Sequence, residues 1–281
     1  MRAFISTPQP DTDAASSGTA VEVQDLHVTF PLYHGSARTL RRTLAAVTSK
    51  RFERDQQQRV VVQALRGISF SLKPGDRLGL VGGNGAGKTT LLRALAGIYE
   101  PVAGRVTVRG EINALLDTNL GMNADLTGRE NISLRGLHAG LSPRRIRAVE
   151  ADVQEFTDLG DFLDLPVRTY SSGMVVRLGF ALATSIRPRV LLMDEWFLAG
   201  DTNFMLKAQG RLEQLVRQAE ILVISTHQLD VVSAWCTRVF WMDQGTIRLQ
   251  GTPAEVLPAY IGHEAGGSPT HPADTTLPVE V

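Results

Sequence analysis

Nine consecutive residues, Gly82-Gly83-Asn84-Gly85-Ala86-Gly87-Lys88-Thr89-Thr90, place glycines, a lysine and two threonines at a spacing that suits one chemistry. From Gly82 to Thr89 they fit the phosphate-binding pattern G-x-x-x-x-G-K-[ST]. Glycines remove Cβ atoms, so backbone N–H groups can converge on phosphate oxygens. A helix that leaves such a loop adds the partial positive charge of its N-terminus. Lys88 would reach the β- and γ-phosphates, and the Thr89 hydroxyl would ligate Mg²⁺. The bland alternative is a glycine-rich strand–helix turn with no ligand. The flanking sequence speaks against it: an apolar strand over residues 77–81 runs in, and a helical pattern over 90–96 runs out.

Three further clusters carry candidate chemistry. The apolar run 190–193 ends in two carboxylates, Asp194 and Glu195. Downstream of a phosphate loop, the first is placed to help hold Mg²⁺ and the second to orient or deprotonate an attacking water. Ser225-Thr226-His227 ends the next apolar run, at the strand edge where open α/β sheets bind ligands. His227 reads there as a polar contact to the γ-phosphate and the water, against the plainer reading of a structural histidine. Ser171-Ser172-Gly173 lies at a helix start and offers two hydroxyls and free N–H groups as a second anion site, or simply a serine cap. A helical region separates it from the loop at 82–90, so one chain is poorly arranged to aim it there. Two copies packed head to tail would place each serine turn over the other's γ-phosphate.

These residues need a scaffold, and the patterning supplies one. Strands are expected at residues 21–30, stopped by Pro31, then at 60–63, 67–72 and 105–109. Continuous apolar runs at 190–194 and 221–225 suit strands buried on both faces of a parallel sheet, with 238–242 following. Intervening helices make βαβ units. Asp243-Gln244-Gly245 is a hairpin turn into residues 246–250. From about 114 to 187 the pattern is helical. Thr127 caps one helix with Glu130 three positions on, and Ser142-Pro143 starts another. A third runs from 175 to 185. Between residues 35 and 59, Ala37, Leu40, Leu44 and Val47 repeat at helical spacing beside Arg38, Arg41 and Arg42. Two readings stand: a basic amphipathic helix near lipid headgroups or a membrane subunit, or a surface helix with a solvated face. Residues 1–20 read as a disordered lead, 21–260 as one domain and 261–281 as a disordered tail.

Composition narrows the function. The 281 residues carry 29 basic and 29 acidic side chains, so no global field points to nucleic acid. Cys236 is the single cysteine, which rules out an intramolecular disulfide and suits a reducing cytosol. No apolar run is long enough to span a bilayer, and the N-terminus has no secretory core. Work at a membrane would proceed from the cytosolic side, through a partner.

Residues 82–89, 170–174, Asp194-Glu195, Asp201 and His227 occur in the order found in the ATP-binding subunits of ABC transporters, and residues 21–260 resemble that family. The chain is similar, more narrowly, to polysaccharide-export ATPases that serve O-antigen, capsule and teichoic-acid exporters. Leu126-Thr127-Gly128-Arg129-Glu130-Asn131-Ile132, Tyr170-Ser171-Ser172-Gly173-Met174 and Ala199-Gly200-Asp201-Thr202-Asn203-Phe204 carry that likeness, together with the basic insertion. The resemblance implies an α/β fold: a P-loop NTPase (RecA-like) ABC ATPase core with an antiparallel β subdomain and an inserted helical subdomain.

It also implies roles and ligands. Residues Gly82, Gly83, Asn84, Gly85, Ala86, Gly87, Lys88, Thr89 and Thr90 would be the Walker A loop and Asp194 the Walker B aspartate. Glu195 would be the catalytic base and Asp201 the bridge to the other subunit. Phe30 lies where an aromatic stacks on adenine, with Tyr33 as the alternative. Asp117 stands where many transporters have a Gln that contacts Mg²⁺ and the membrane subunit. The expected cofactors are ATP and Mg²⁺. The expected partners are a second copy of the chain and an integral membrane permease subunit, with no nucleic acid. The expected location is peripheral, on the cytoplasmic face of the membrane. Long members of this branch carry a C-terminal sugar-binding β-sandwich; none is expected in this chain. The function so implied is ATP hydrolysis that drives polysaccharide export. Rival readings are an ABC ATPase for a lipid or drug, a non-transport ABC ATPase, and a nucleotide-binding regulatory module without turnover.

Overall fold

The computed structural model describes residues 18–31, 52–54, 60–116, 122–194 and 202–266. Two sheets form its centre. One is antiparallel: β1 (Ala20–Pro31), β2 (Phe52–Arg54), β3 (Val60–Leu72) and β5 (Ala103–Arg109), in the order β2-β3-β1-β5. The other contains β4 (Arg77–Val81), β6 (Ile112–Leu115), β7 (Val190–Asp194), β8 (Ile221–Ser225), β9 (Arg238–Asp243) and β10 (Thr246–Gly251), in the order β10-β9-β4-β8-β7-β6. In this sheet β9, β4, β8, β7 and β6 run parallel, and β10 pairs antiparallel on the edge.

The parallel strands are short because each is one apolar run between turns. β7 and β8 are buried along nearly their whole length, as expected for strands covered on both faces. One face packs with α1 (Lys88–Leu95) and the antiparallel sheet into a core that includes Leu78, Leu80, Leu91, Leu92 and Phe240. Burying one such side chain fully contributes about 1.5–3 kcal/mol. The other face is covered by α5 (Thr202–Gln218), α6 (Leu229–Trp235) and α7 (Pro253–Gly266), through Leu215, Val216, Val232, Val256 and Tyr260.

A helical unit is inserted between β6 and β7. It holds α2 (Gly128–His138), α3 (Pro143–Thr157), two short 3₁₀ turns at Gly160–Asp164 and Val167–Thr169, and α4 (Ser172–Thr184) around Ile132, Val153, Leu163 and Leu178. The predicted start signals hold. Thr127 and Glu130 form a reciprocal capping box, and Ser142 caps α3 with Pro143 in its first turn. An aromatic joint ties this unit to the core. Phe156 of α3 stacks on Phe180 of α4 at 5.5 Å, and Phe204 of α5 meets both edge-on.

Several boundaries differ from the sequence reading. Residues 60–63 and 67–72 belong to one strand. It passes through Gly67, at φ 64°, where the register with β1 shifts between the pairs Val28–Leu65 and Leu26–Ile68. β5 begins at Ala103, two residues before the strand expected at 105–109. β6 was not anticipated and reaches Leu115, inside the span read as helical. β2 puts residues 52–54 of the basic insertion in the antiparallel sheet. α7 runs on to Gly266, past residue 261, where the tail was expected to begin. The helical reading of residues 37–47 lies outside the described residues, as do most of the N-terminal lead and the tail beyond Gly266.

Candidate functional site

The phosphate-type loop joins the C-terminal end of β4, the strand between β8 and β9, to α1. Its glycines are required by geometry. Gly82 and Gly87 adopt φ of 146° and 108°. A Cβ on Gly87 would meet the Ala64 carbonyl oxygen at 2.9 Å, and one on Gly82 would strike the Met242 carbonyl. Gly87 is also the cap of α1, in a left-handed conformation with no side-chain hydrogen bond, so no side chain occupies the helix N-terminus there.

Lys88 opens the helix and is 8 % exposed. Its ammonium donates to the carbonyl oxygens of Gly82 at 2.5 Å and Gly83 at 3.2 Å. Burial pushes its pKa down, and the charges of Asp194 and Glu264 push the other way. A buried cation whose hydrogen bonds among the described residues go to carbonyls gains strongly from an anion beside it.

A cavity of about 320 Å³ opens over the loop. Residues 84–90 form its floor, Asp194 and His227 stand at the ends of β7 and beyond β8, and Phe30 lies on the side formed by β1. Phe30 is braced by Tyr99, with ring centroids 5.0 Å apart and planes at 72°. Arg93 of α1 in turn donates to the Tyr99 hydroxyl at 2.8 Å. Val62 and Ala64 of β3 complete the apolar side. Phe30, Asn84, Gly85, Ala86, Gly87, Lys88, Thr89, Thr90, Asp194 and His227, read from sequence as site residues, therefore share one cavity, with Gly82 and Gly83 shaping it from behind Lys88.

Sequence reasoning passed over Ser225. It is 1 % exposed and lines the cavity, and its Oγ has no hydrogen-bond partner among the described residues. Its signal was a polar residue closing the apolar run of β8. Tyr99, which braces Phe30, carried no local signal.

An uncapped helix N-terminus, a desolvated lysine and an orphaned hydroxyl around one hollow fit a polyphosphate. Thr89 and Asp194 line the same cavity and are the residues that would hold Mg²⁺. Among the described residues no group of three or more His, Cys, Asp or Glu side chains could hold a metal ion. A Mg²⁺ bound there would draw its remaining ligands from phosphate and water.

The serine turn lies elsewhere. Ser171 caps α4 by accepting from the Met174 N–H at 3.3 Å. Ser171, Ser172 and Gly173 are all exposed, and none lines the cavity. Glu195, Asp201, Asp117 and Tyr33 lie outside the described residues.

A loop of this type after an interior strand of a mostly parallel sheet, beside an antiparallel sheet and with a helical unit inserted between β6 and β7, defines a P-loop nucleotide-binding protein. The ABC transporter family profile matches residues 65–198. The chain is 40% identical over 230 residues to the O-antigen export system ATP-binding protein RfbE of Yersinia enterocolitica, covering 82% of this chain and 96% of that one. It is also 40% identical to RfbB of Myxococcus xanthus, named likewise, covering 75% of this chain but only 48% of that protein. It is 37% identical to the teichoic acids export ATP-binding protein TagH of Lactococcus lactis, covering 70% of this chain and 42% of that protein. The chain thus spans about half the length of two of these three relatives.

Solved structures share the fold. An ATP-binding subunit of an ABC transporter matches with a TM-score of 0.62 at 22% identity, over 86% of this chain and 93% of that one. A dimeric ATP-binding cassette in a post-hydrolysis state bound to ADP and Pi matches at 0.60 and 17%, over 83% and 98%. The chain belongs to the ABC transporter family, among its ATP-binding proteins.

Proposed function

We propose that this chain is the ATP-hydrolysing subunit of an exporter that moves a cell-surface polysaccharide across the cytoplasmic membrane. It works as a pair of copies beneath a separate integral membrane permease. Among the described residues no helix is long and apolar enough to cross a membrane, and the subunit sits peripherally on the cytoplasmic face. The cargo assignment rests on the O-antigen and teichoic-acid export proteins to which the chain is similar.

The observation that carries the reading is a half-built site. Loop, lysine, Asp194 and His227 converge on one cavity, while the serine turn is exposed and does not line it. A second copy in head-to-tail contact supplies the missing wall. Lys88 and the loop N–H groups hold the β- and γ-phosphates, and Phe30 stacks on the base. Mg²⁺, when bound through Thr89 and Asp194, neutralises charge on the phosphates. Glu195 takes a proton from the attacking water, His227 holds the γ-phosphate and the water in line, and Asp201 touches the other copy. Closing of the pair on ATP, and opening after hydrolysis, is the stroke delivered to the permease.

The test is Glu195→Gln with ATP and Mg²⁺. Binding is retained, hydrolysis stops, and the protein elutes as a dimer in size-exclusion chromatography with light scattering. A monomer at saturating nucleotide would overturn the paired site.

A further inference from the structure

The run Leu126-Thr127-Gly128-Arg129-Glu130-Asn131 is strongly patterned, yet none of it lines the nucleotide cavity. Its contacts lead instead to residues 162–170, the stretch that runs directly into the serine turn. The Val167 N–H donates to the Leu126 carbonyl at 2.9 Å and the Arg168 N–H to the Ala124 carbonyl at 2.8 Å. Thr127 and Pro166 form an antiparallel bridge. Arg168 pairs with Asp125 at 2.7 Å, and Arg129 reaches Asp164 at 2.8 Å and Glu150 at 2.7 Å.

Beneath this seam the packing leaves no slack. A Cβ on Gly128 would meet the Tyr170 hydroxyl at 2.7 Å and the Leu163 side chain at 2.8 Å. That hydroxyl donates to the Phe162 carbonyl at 2.6 Å. Asn131 is 2 % exposed and stitches the approach to α2 from within. Its amide donates to the carbonyls of Asn123 and Thr127 at 3.0 and 2.9 Å, and its Oδ1 accepts from the Asn123 N–H at 2.7 Å.

The geometry points to a staple: residues 123–128 and 162–170 move as one body, so that Gly128, Asn131, Asp125 and Arg168 fix where the serine turn stands relative to a partner copy's phosphate loop. These are positioning residues, since none touches nucleotide. The inference rests on the paired-site reading above. It follows that disturbing the staple lowers turnover and dimer closure while leaving nucleotide binding to one copy intact.

The test uses the full chain as wild type, Gly128→Ala, Asp125→Arg and Asp125→Arg/Arg168→Asp, each also with Glu195→Gln for dimer measurements. ADP–Mg²⁺ binding at a protein concentration that keeps copies apart reports the half-site alone. Expected are ADP affinities within about twofold of wild type, and a fall in kcat of at least about tenfold for Gly128→Ala, because small misplacements of a positioning element are costly. Asp125→Arg sets like charges face to face; a loss of about two- to threefold is expected, recovered in the swapped double variant. ATP-driven dimerisation weakens in parallel. Asp125 and Arg168 are largely exposed, so this arm decides the question if Gly128→Ala does not fold. Wild-type kcat and dimerisation in Asp125→Arg, no recovery in the double variant, or an equal loss of ADP binding would overturn the staple. Failure of Glu195→Gln alone to dimerise would overturn the paired site beneath it.

Discussion

Lys88 is costly to the free protein. Its ammonium is mostly withdrawn from water, its pKa is lowered, and its two hydrogen bonds go to carbonyls of its own loop. Such a group is retained for a ligand and not for the fold. Replacement by Ala removes the one Lys or Arg side chain that lines the cavity among the described residues. Lys88→Ala is therefore expected to abolish phosphate release from ATP, and to leave the melting temperature without nucleotide unchanged or raised. Wild-type release by this variant, followed with a coupled phosphate assay, would remove Lys88 from the site. The same logic applies to Ser225, whose buried hydroxyl has no hydrogen-bond partner among the described residues. Phe30 acts with support: Tyr99 braces it edge-on, and Arg93 holds Tyr99 from the helix that the loop itself caps.

At the scale of elements, the start of α2 shows how local chemistry fixes a helix. The Thr127 hydroxyl accepts from the Glu130 N–H at 3.2 Å, and the Glu130 carboxylate accepts from the Thr127 N–H at 2.8 Å. This holds the Glu130 carboxyl below its ordinary range. The stabilisation is therefore complete above the unfolded carboxyl's pKa and is lost as pH falls through the lowered one. Thr127→Ala is expected to cost about 1 kcal/mol of stability at neutral pH, the usual loss for a helix cap. Urea unfolding followed by circular dichroism measures it, and a cost near zero would show the cap to be redundant. α4 begins on the same principle with Ser171, but its cap residues stay exposed. α1 is the exception: it opens on a left-handed glycine with no side-chain cap hydrogen bond, so its N–H groups face the cavity unmasked.

The whole molecule is held by contacts between units far apart in sequence. Arg66 of β3 donates from its backbone to the Gly245 carbonyl and from its side chain to the Gln244 carbonyl, which locks the antiparallel sheet to the β9–β10 turn. Cys236, at the end of α6, packs so closely on β4 that a Cβ at Gly79 would meet its sulfur at 3.1 Å. Burial pushes its thiol pKa up to about 12 from 9.0. The folded state thus favours the protonated thiol. This contribution is complete below pH 9 and is lost as pH rises toward 12, at about 1.4 kcal/mol per pH unit. Cys236→Ala is expected to lose that slope in denaturant titrations above pH 9. The native thiol is expected to stay inert to thiol reagents at pH 8 until the chain unfolds globally. Rapid labelling of the native protein would show that α6 opens independently of the core.

Short-range chemistry in the sequence determined the phosphate-type loop, the Thr127–Glu130 box, the Ser142-Pro143 start and the hairpin at Gln244-Gly245. Both turn residues there take positive φ, 46° and 80°. Each of these depends on residues within a few positions of one another, so spacing alone reveals them. The tertiary structure decided what distant pairing controls. β6 is four residues whose strand character comes from lying beside β7. β3 continues through Gly67 because β1 pairs on both sides of it. Ser225 becomes part of the cavity only when β8 lies next to β4. The pairing of residues 123–128 with 162–170 could not be read from either stretch, because its backbone hydrogen bonds carry no residue identity and its side-chain pairs lie about 40 positions apart.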